Sequence, residues 1–154
     1  MIARVAPLAL ALLLTGCTQT KPPTFEVGSL TITERSDSAA VLSVEIVGTN
    51  NSSTPLELRD VNYTLAIDSA TPVTTTRDAQ ATLPANKQQR LRLPVVIDTT
   101  TLNAIEGVDT PYRFSATISY LRPGKFAEVL YDLGIQKASR SFSESATLRI
   151  PVPE

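Results

Sequence analysis

Apolar and polar residues alternate along most of this chain, in short runs that suit strands rather than helices. From Phe25 onward, Val27, Leu30 and Ile32 mark a first strand, and Leu42, Val44 and Ile46 alternate with Ser43, Glu45 and Val47 in a second. A period of two puts one set of side chains on each face of a strand. Asn50-Asn51-Ser52-Ser53-Thr54-Pro55 is a dense turn signal. Leu56 and Leu58 begin a third strand, which Val61, Tyr63, Leu65 and Ile67 continue. Its apolar positions switch from even to odd, so the pattern predicts a bulge or break near Arg59-Asp60.

Ala70 to Thr76 is Thr-rich, contains Pro72 and reads as an edge segment or loop; Ala79 to Leu83 reads as a short strand. Leu91, Leu93, Val95 and Ile97 form another strand, and Pro94, which lacks an amide hydrogen, assigns it to a sheet edge. Thr99 to Gly107 reads as the one short helix, capped by Asp98 or a threonine and ended by Gly107. Phe114, Ala116, Ile118 and Tyr120 make a half-buried strand. Arg122-Pro123-Gly124-Lys125 reads as a turn across which Phe126 to Leu133 pairs back, and Phe142, Ala146, Leu148 and Ile150 close the sheet. About seven strands with turn signals between them predict an all-β fold, an antiparallel β-sandwich with one short helix. Tyr63 and Tyr120 fall in phase with apolar neighbours and are expected in the core, with their hydroxyls at its rim.

The first residues follow a different rule. Arg4 precedes an uncharged apolar run from Val5 to Leu14, and Leu14-Thr15-Gly16 leads into Cys17, the only cysteine. This is the order of a bacterial secretory signal ending in a lipobox. The apolar stretch is too short for a spanning helix, which needs about 20 residues. Residues 1–16 are therefore expected to be a lipoprotein signal peptide, and 17–24 a lipidated N-terminus and tether that includes Pro22-Pro23. Residues 25–154 are expected to be the folded domain. The Cys17 thiol would take the diacylglycerol, anchoring the protein to a membrane of the bacterial cell envelope. Thr18, where an Asp would favour inner-membrane retention, points to the outer membrane facing the periplasm.

Composition then narrows the chemistry. Loss of Arg4 with the signal shifts the net charge from −1 to −2, so there is no basic excess to neutralise phosphates, and no nucleic-acid partner is expected. With no His and one acylated Cys, the histidine-based acid–base and nucleophile systems and His or Cys zinc sites are excluded. Three constellations remain. Glu57, Arg59 and Asp60 contain paired carboxylates, but on a strand they read as its wet face. Arg90 and Arg92 share one face and could grip an anion; they read as solubilising charges on an edge strand. Asn50 to Ser53 could bind a sugar and reads as an Asx turn. No catalytic, cofactor-binding or metal residue is assigned, and no small-molecule substrate is indicated.

The run Leu42-Ser43-Val44-Glu45-Ile46-Val47-Gly48-Thr49-Asn50-Asn51-Ser52-Ser53, then Thr54-Pro55-Leu56-Glu57-Leu58, then Val61 to Asp68, resembles the WHy (water stress and hypersensitive response) domain of the type 2 late embryogenesis abundant proteins. Leu83-Pro84-Ala85 before Arg90 to Val95 looks like that family's next strand pair. The usual Asn-Pro-Asn turn is here Asn50-Asn51-Ser52, and no glycine stands at Asp68-Ser69-Ala70. The resemblance covers nearly all of the chain after Phe25, and bacterial members are often small lipoproteins. It implies a fibronectin type III-like, immunoglobulin-like sandwich and a non-enzymatic role in desiccation or other stress, with proteins or envelope components as clients. The alternative is an interaction module, a lipoprotein subunit of an envelope or secretion assembly, for which Ala79 to Leu83 would be the edge open to a partner strand.

Overall fold

The computed structural model describes residues 21–152; residues 1–16 and Cys17 lie outside the described residues. Seven strands follow one another: β1 (Thr24–Arg35), β2 (Ala39–Thr49), β3 (Leu56–Ile67), β4 (Val73–Leu83), β5 (Gln88–Asp98), β6 (Thr110–Tyr120) and β7 (Ala138–Leu148). Helix α1 (Thr99–Ile105) joins β5 to β6, and helix α2 (Lys125–Asp132) joins β6 to β7. All pairings between these strands are antiparallel. The strands form a three-stranded sheet, ordered β1-β2-β5, and a four-stranded sheet, ordered β4-β3-β6-β7.

The alternation in sequence is the reason for the packing. Leu42, Val44 and Ile46 of β2 and Leu91 to Ile97 of β5 are buried at every second position. They meet Val61, Tyr63 and Leu65 of β3 and Phe114 and Ile118 of β6 in one core. The Tyr63 hydroxyl crosses between the sheets and donates to the Pro94 carbonyl of β5 at 2.6 Å. Burial raises the Tyr63 hydroxyl pKa, partly opposed by Thr75 and Arg77. Burial also raises that of Tyr112, with the Glu144 charge adding to it. Both effects follow from the cost of ionising a phenol away from water.

The parity switch in β3 is a bulge: the register shifts after Leu58 against both β4 and β6. Pro94 lies on an edge strand, as its missing amide requires. Asp98 caps α1, accepting from the Thr101 amide at 2.6 Å, and Gly107, at φ +72°, follows its end. That capping lowers the Asp98 carboxyl pKa, through hydrogen bonds from the Thr101 backbone and hydroxyl. The Thr-rich stretch becomes strand from Val73, so the expected Ala79–Leu83 strand is the second half of a longer one.

One expectation fails. Phe126 to Leu133 is not a strand: residues 125–132 form α2, so the sandwich carries two short helices. Phe126, Val129, Leu130 and Leu133 stand at i, i+3, i+4 and i+7, the spacing of one helical face. Gly124 sits at its N-terminus at φ +121° and Gly134, at φ +70°, follows its end.

Candidate functional site

The sheet register assembles a surface that no linear motif announces. Outward-facing positions of β7 are Ser139, Ser141, Ser143, Ser145 and Thr147, an unbroken hydroxyl row. Thr74, Thr64, Ser115 and Ser143 stand opposite one another across β4, β3, β6 and β7 and form one rank. Thr76, Asn62, Thr117 and Ser141 form the next. Within a rank neighbours are about 4.8 Å apart by strand spacing, and the ranks are about 7 Å apart along each strand. Thr64 and Thr74 hydroxyls are bonded at 2.9 Å, Asn62 donates to Thr76 at 2.8 Å, and Thr117 and Ser141 are bonded at 2.8 Å. Arg113 borders this face and donates to Ser143 at 3.3 Å. A shallow concavity of about 400 Å³ lies over the centre of both ranks. The eight ranked side chains carry no charge, and each can both donate and accept.

The three constellations singled out in the sequence serve other ends. Glu57 and Arg59 pair with each other at 3.2 Å. Asp60 accepts from the Tyr131 hydroxyl at 3.3 Å, and the Ser119 hydroxyl donates to the Asp60 carbonyl at 3.2 Å. The Arg59 guanidinium lies 5.8 Å from the Tyr131 ring centre, and Lys137 Nζ lies 5.4 Å from it. This group fastens α2 to the β3 bulge; its carboxylates do not converge on a common point. Arg90 reaches Glu45 on β2 at 3.5 Å, and Arg92 stands directly opposite Glu45 in the ladder, so both face a carboxylate already present. Asn50 is buried. Its amide donates to the Thr54 and Leu83 carbonyls at 2.8 and 3.1 Å, and its oxygen accepts from the Ser52 amide at 2.9 Å. Both polar atoms of the side chain are engaged in closing the β2–β3 connection onto the end of β4, which is the turn reading.

Ala79 to Leu83 lies on β4, at a free edge of the four-stranded sheet. Gln80 is there at φ +45°, with its amide bonded to Asp78 at 3.0 Å, so the edge is kinked rather than flat. At the opposite edge β1 carries two bulges, and a groove of about 590 Å³ opens between it and Leu148 to Ile150. Leu30 and Ile32 form its apolar wall, where the twice-shifted edge strand leaves the core partly uncovered.

The two ends of the sandwich differ in charge. Thr24, Thr49 and Gln88 stand together at one end, where Asn50 bonds to Leu83, Leu121 bonds to Glu57, and Tyr120 pairs with Ala138. Among the described residues, the connections at that end carry Lys21, Lys87, Arg122, Lys125 and Lys137 against Glu128 and Asp132. Those at the other end carry Asp37, Asp68, Glu106 and Asp109 against Arg149.

No protein-family model matches this chain, and no curated protein matches it in sequence. Its structure is similar to the solution structure of a "putative late embryogenesis abundant (LEA) protein", with a TM-score of 0.65 at 13% identity, covering 84% of this chain and 72% of that one. It is equally similar to the solution structure of AT1g01470 from Arabidopsis thaliana, with a TM-score of 0.65 at 13% identity, covering 91% of both chains. At such identities the likeness speaks for the fold, and the fold is the sandwich expected from the alternation.

Proposed function

We propose that this protein is a membrane-anchored, non-catalytic lipoprotein that protects other proteins or envelope components during water stress, using the hydroxyl face of its four-stranded sheet. The observation that carries the reading is that face: two ranks of uncharged groups across four strands. On drying, polar groups of neighbouring molecules lose water and become costly to leave unpaired. Hydroxyls and amides that both donate and accept can replace that water without requiring a particular partner charge. The likeness in fold to a protein described as late embryogenesis abundant supports the same reading. The anchor is the proposed acylation of Cys17, at the outer membrane facing the periplasm.

Residues 18–154 dried with a labile dehydrogenase should restore more activity on rehydration than an equal mass of an unrelated β-sandwich. The combined variant Thr64→Val, Ser115→Ala, Thr117→Val, Ser141→Ala, Ser143→Ala should fold and protect no better than that control. Equal protection by wild type and variant removes the face from the mechanism, and no protection by either overturns the reading. Separately, Cys17→Ser should lose the acyl mass and shift the protein towards the soluble fraction; wild-type protein purified from membranes without an acyl mass on Cys17 refutes the lipid anchor.

A further inference from the structure

Helix α2 turns its apolar side away from the protein. Phe126, Val129 and Leu133, together with Ile135 just beyond the helix, are 75%, 52%, 66% and 69% exposed. The contacts that hold the helix come from elsewhere on its circumference, through the Tyr131 hydroxyl to Asp60 and Ser119. The outward stripe is therefore left over once docking is complete, and scattered exposure does not account for four large apolar side chains within ten residues.

Two observations say what covers it. The first is position: α2 follows the end of β6 that pairs with the start of β7, at the same end of the sandwich where β1 begins at Thr24. A tether from Cys17 to Thr24 spans at most about 25 Å when fully extended, so an acylated Cys17 holds this end next to the bilayer. The second is charge. This end carries the basic surplus, five Lys and Arg against Glu128 and Asp132 of α2 itself, with Arg122 and Lys125 leading into the stripe, and the acidic surplus lies at the far end. An exposed apolar helical face at the basic end of a domain, entered through Arg122 and Lys125, suits a segment lying in a lipid interface.

We propose that α2 is a second membrane contact: its Phe126–Val129–Leu133 stripe lies in the headgroup region of an anionic bilayer and holds the sandwich upright on its lipid. This rests on the lipoprotein reading of Cys17, and the test separates the two. A Val129→Cys variant is purified from membranes as the full lipidated chain. An acylated Cys17 sulfur is a thioether and takes no dye, so an environment-sensitive fluorophore labels position 129 alone. The protein is inserted into vesicles of phosphatidylethanolamine and phosphatidylglycerol, with and without brominated acyl chains. Bromine should quench position 129 by half or more and leave a dye at Thr100→Cys, on α1 at the far end, unaffected. Adding Phe126→Asp and Leu133→Asp should abolish the quenching while the protein still pellets with the vesicles. Protein that pellets but is not quenched at 129 overturns the α2 contact and leaves the anchor standing. A mass without an acyl group overturns the anchor, and the contact with it. Emission that instead shifts with protein concentration in the absence of vesicles assigns the stripe to a second copy of the chain and overturns the proposal.

Discussion

Removal of one oxygen, by Tyr63→Phe, tests how the two sheets are held together. The Tyr63 ring sits in the core against Phe114, with centroids 6.0 Å apart, and Phe keeps that packing. What is lost is the 2.6 Å bond to the Pro94 carbonyl, the hydroxyl's link from β3 to β5. A net hydrogen bond contributes about 1 kcal/mol, and leaving its partly buried acceptor without a partner adds to that loss. We expect the variant to be destabilised by roughly 1–2 kcal/mol, with the fold intact and Tm lowered by roughly 3–8 °C. Alkali supplies a second reading. Burial raises the Tyr63 pKa, so the neutral phenol is preferred in the folded state. The linked stability is complete below the ordinary tyrosine value near 10 and is lost as pH rises through the raised folded value. Urea denaturation across neutral to alkaline pH should therefore show an alkaline decline in the wild type. The decline should be smaller, not absent, in Tyr63→Phe, because Tyr112 is shifted in the same direction. A variant as stable as wild type at neutral pH would refute the inter-sheet role of the hydroxyl, and an unchanged alkaline decline would refute the linkage of its burial to alkaline sensitivity.

Asn50→Ala deprives the Thr54 and Leu83 carbonyls and the Ser52 amide of their buried partner, so we expect a loss of about 3 kcal/mol by urea denaturation; a loss under 1 kcal/mol would mean that the turn closes without it. At Gly48 an added methyl group meets Leu83 at 2.9 Å and Phe25 at 3.0 Å. Gly48→Ala should therefore cost about 1–3 kcal/mol through overpacking, measured as a fall in Tm. Asp98, whose pKa is lowered by capping, contributes stability that is present above the ordinary carboxylate value near 4 and lost as pH falls through the lowered one. Asp98→Asn keeps a capping oxygen without the charge and should flatten the acid limb of the stability profile; an identical acid limb would dissociate the cap from acid sensitivity.

The sequence was legible where one face of a segment is buried and the other is wet. Leu42, Val44 and Ile46, and Leu91 to Ile97, wrote their orientation into the chain because a slip by one residue would turn every apolar side chain to water. The bulge at Arg59-Asp60 was legible for the same reason, as a change of parity that continuous pairing cannot absorb. Helix α2 was not. Its spacing is helical, but a segment bounded by Pro123-Gly124 and followed by strand-like residues also satisfies a hairpin, and short apolar runs do not separate the two. The hydroxyl face was half legible. Ser139, Ser141, Ser143, Ser145 and Thr147 show their period of two in the sequence. Their alignment with Ser115, Thr64 and Thr74 depends on cross-strand register, which is set by distant core positions such as Ala116 opposite Phe142.

The positions of the two proposed surfaces constrain each other. The hydroxyl ranks cross the strands of the four-stranded sheet midway along their length, whereas α2 and Thr24 lie at one end of those strands. If that end rests on lipid, the strands stand away from the membrane and the hydroxyl face looks sideways along its surface. It then meets neighbouring envelope proteins rather than the bilayer beneath. The outer face of the other sheet differs: Arg90 pairs with Glu45 there, Arg92 stands opposite Glu45 in the ladder, and these groups retain charge that water or specific partners must match. A protective surface that accepts many clients needs the opposite, groups whose donors and acceptors can be re-paired at little cost in charge. The neutral face has that property, and the second contact through α2 would keep it from being spent on the membrane itself.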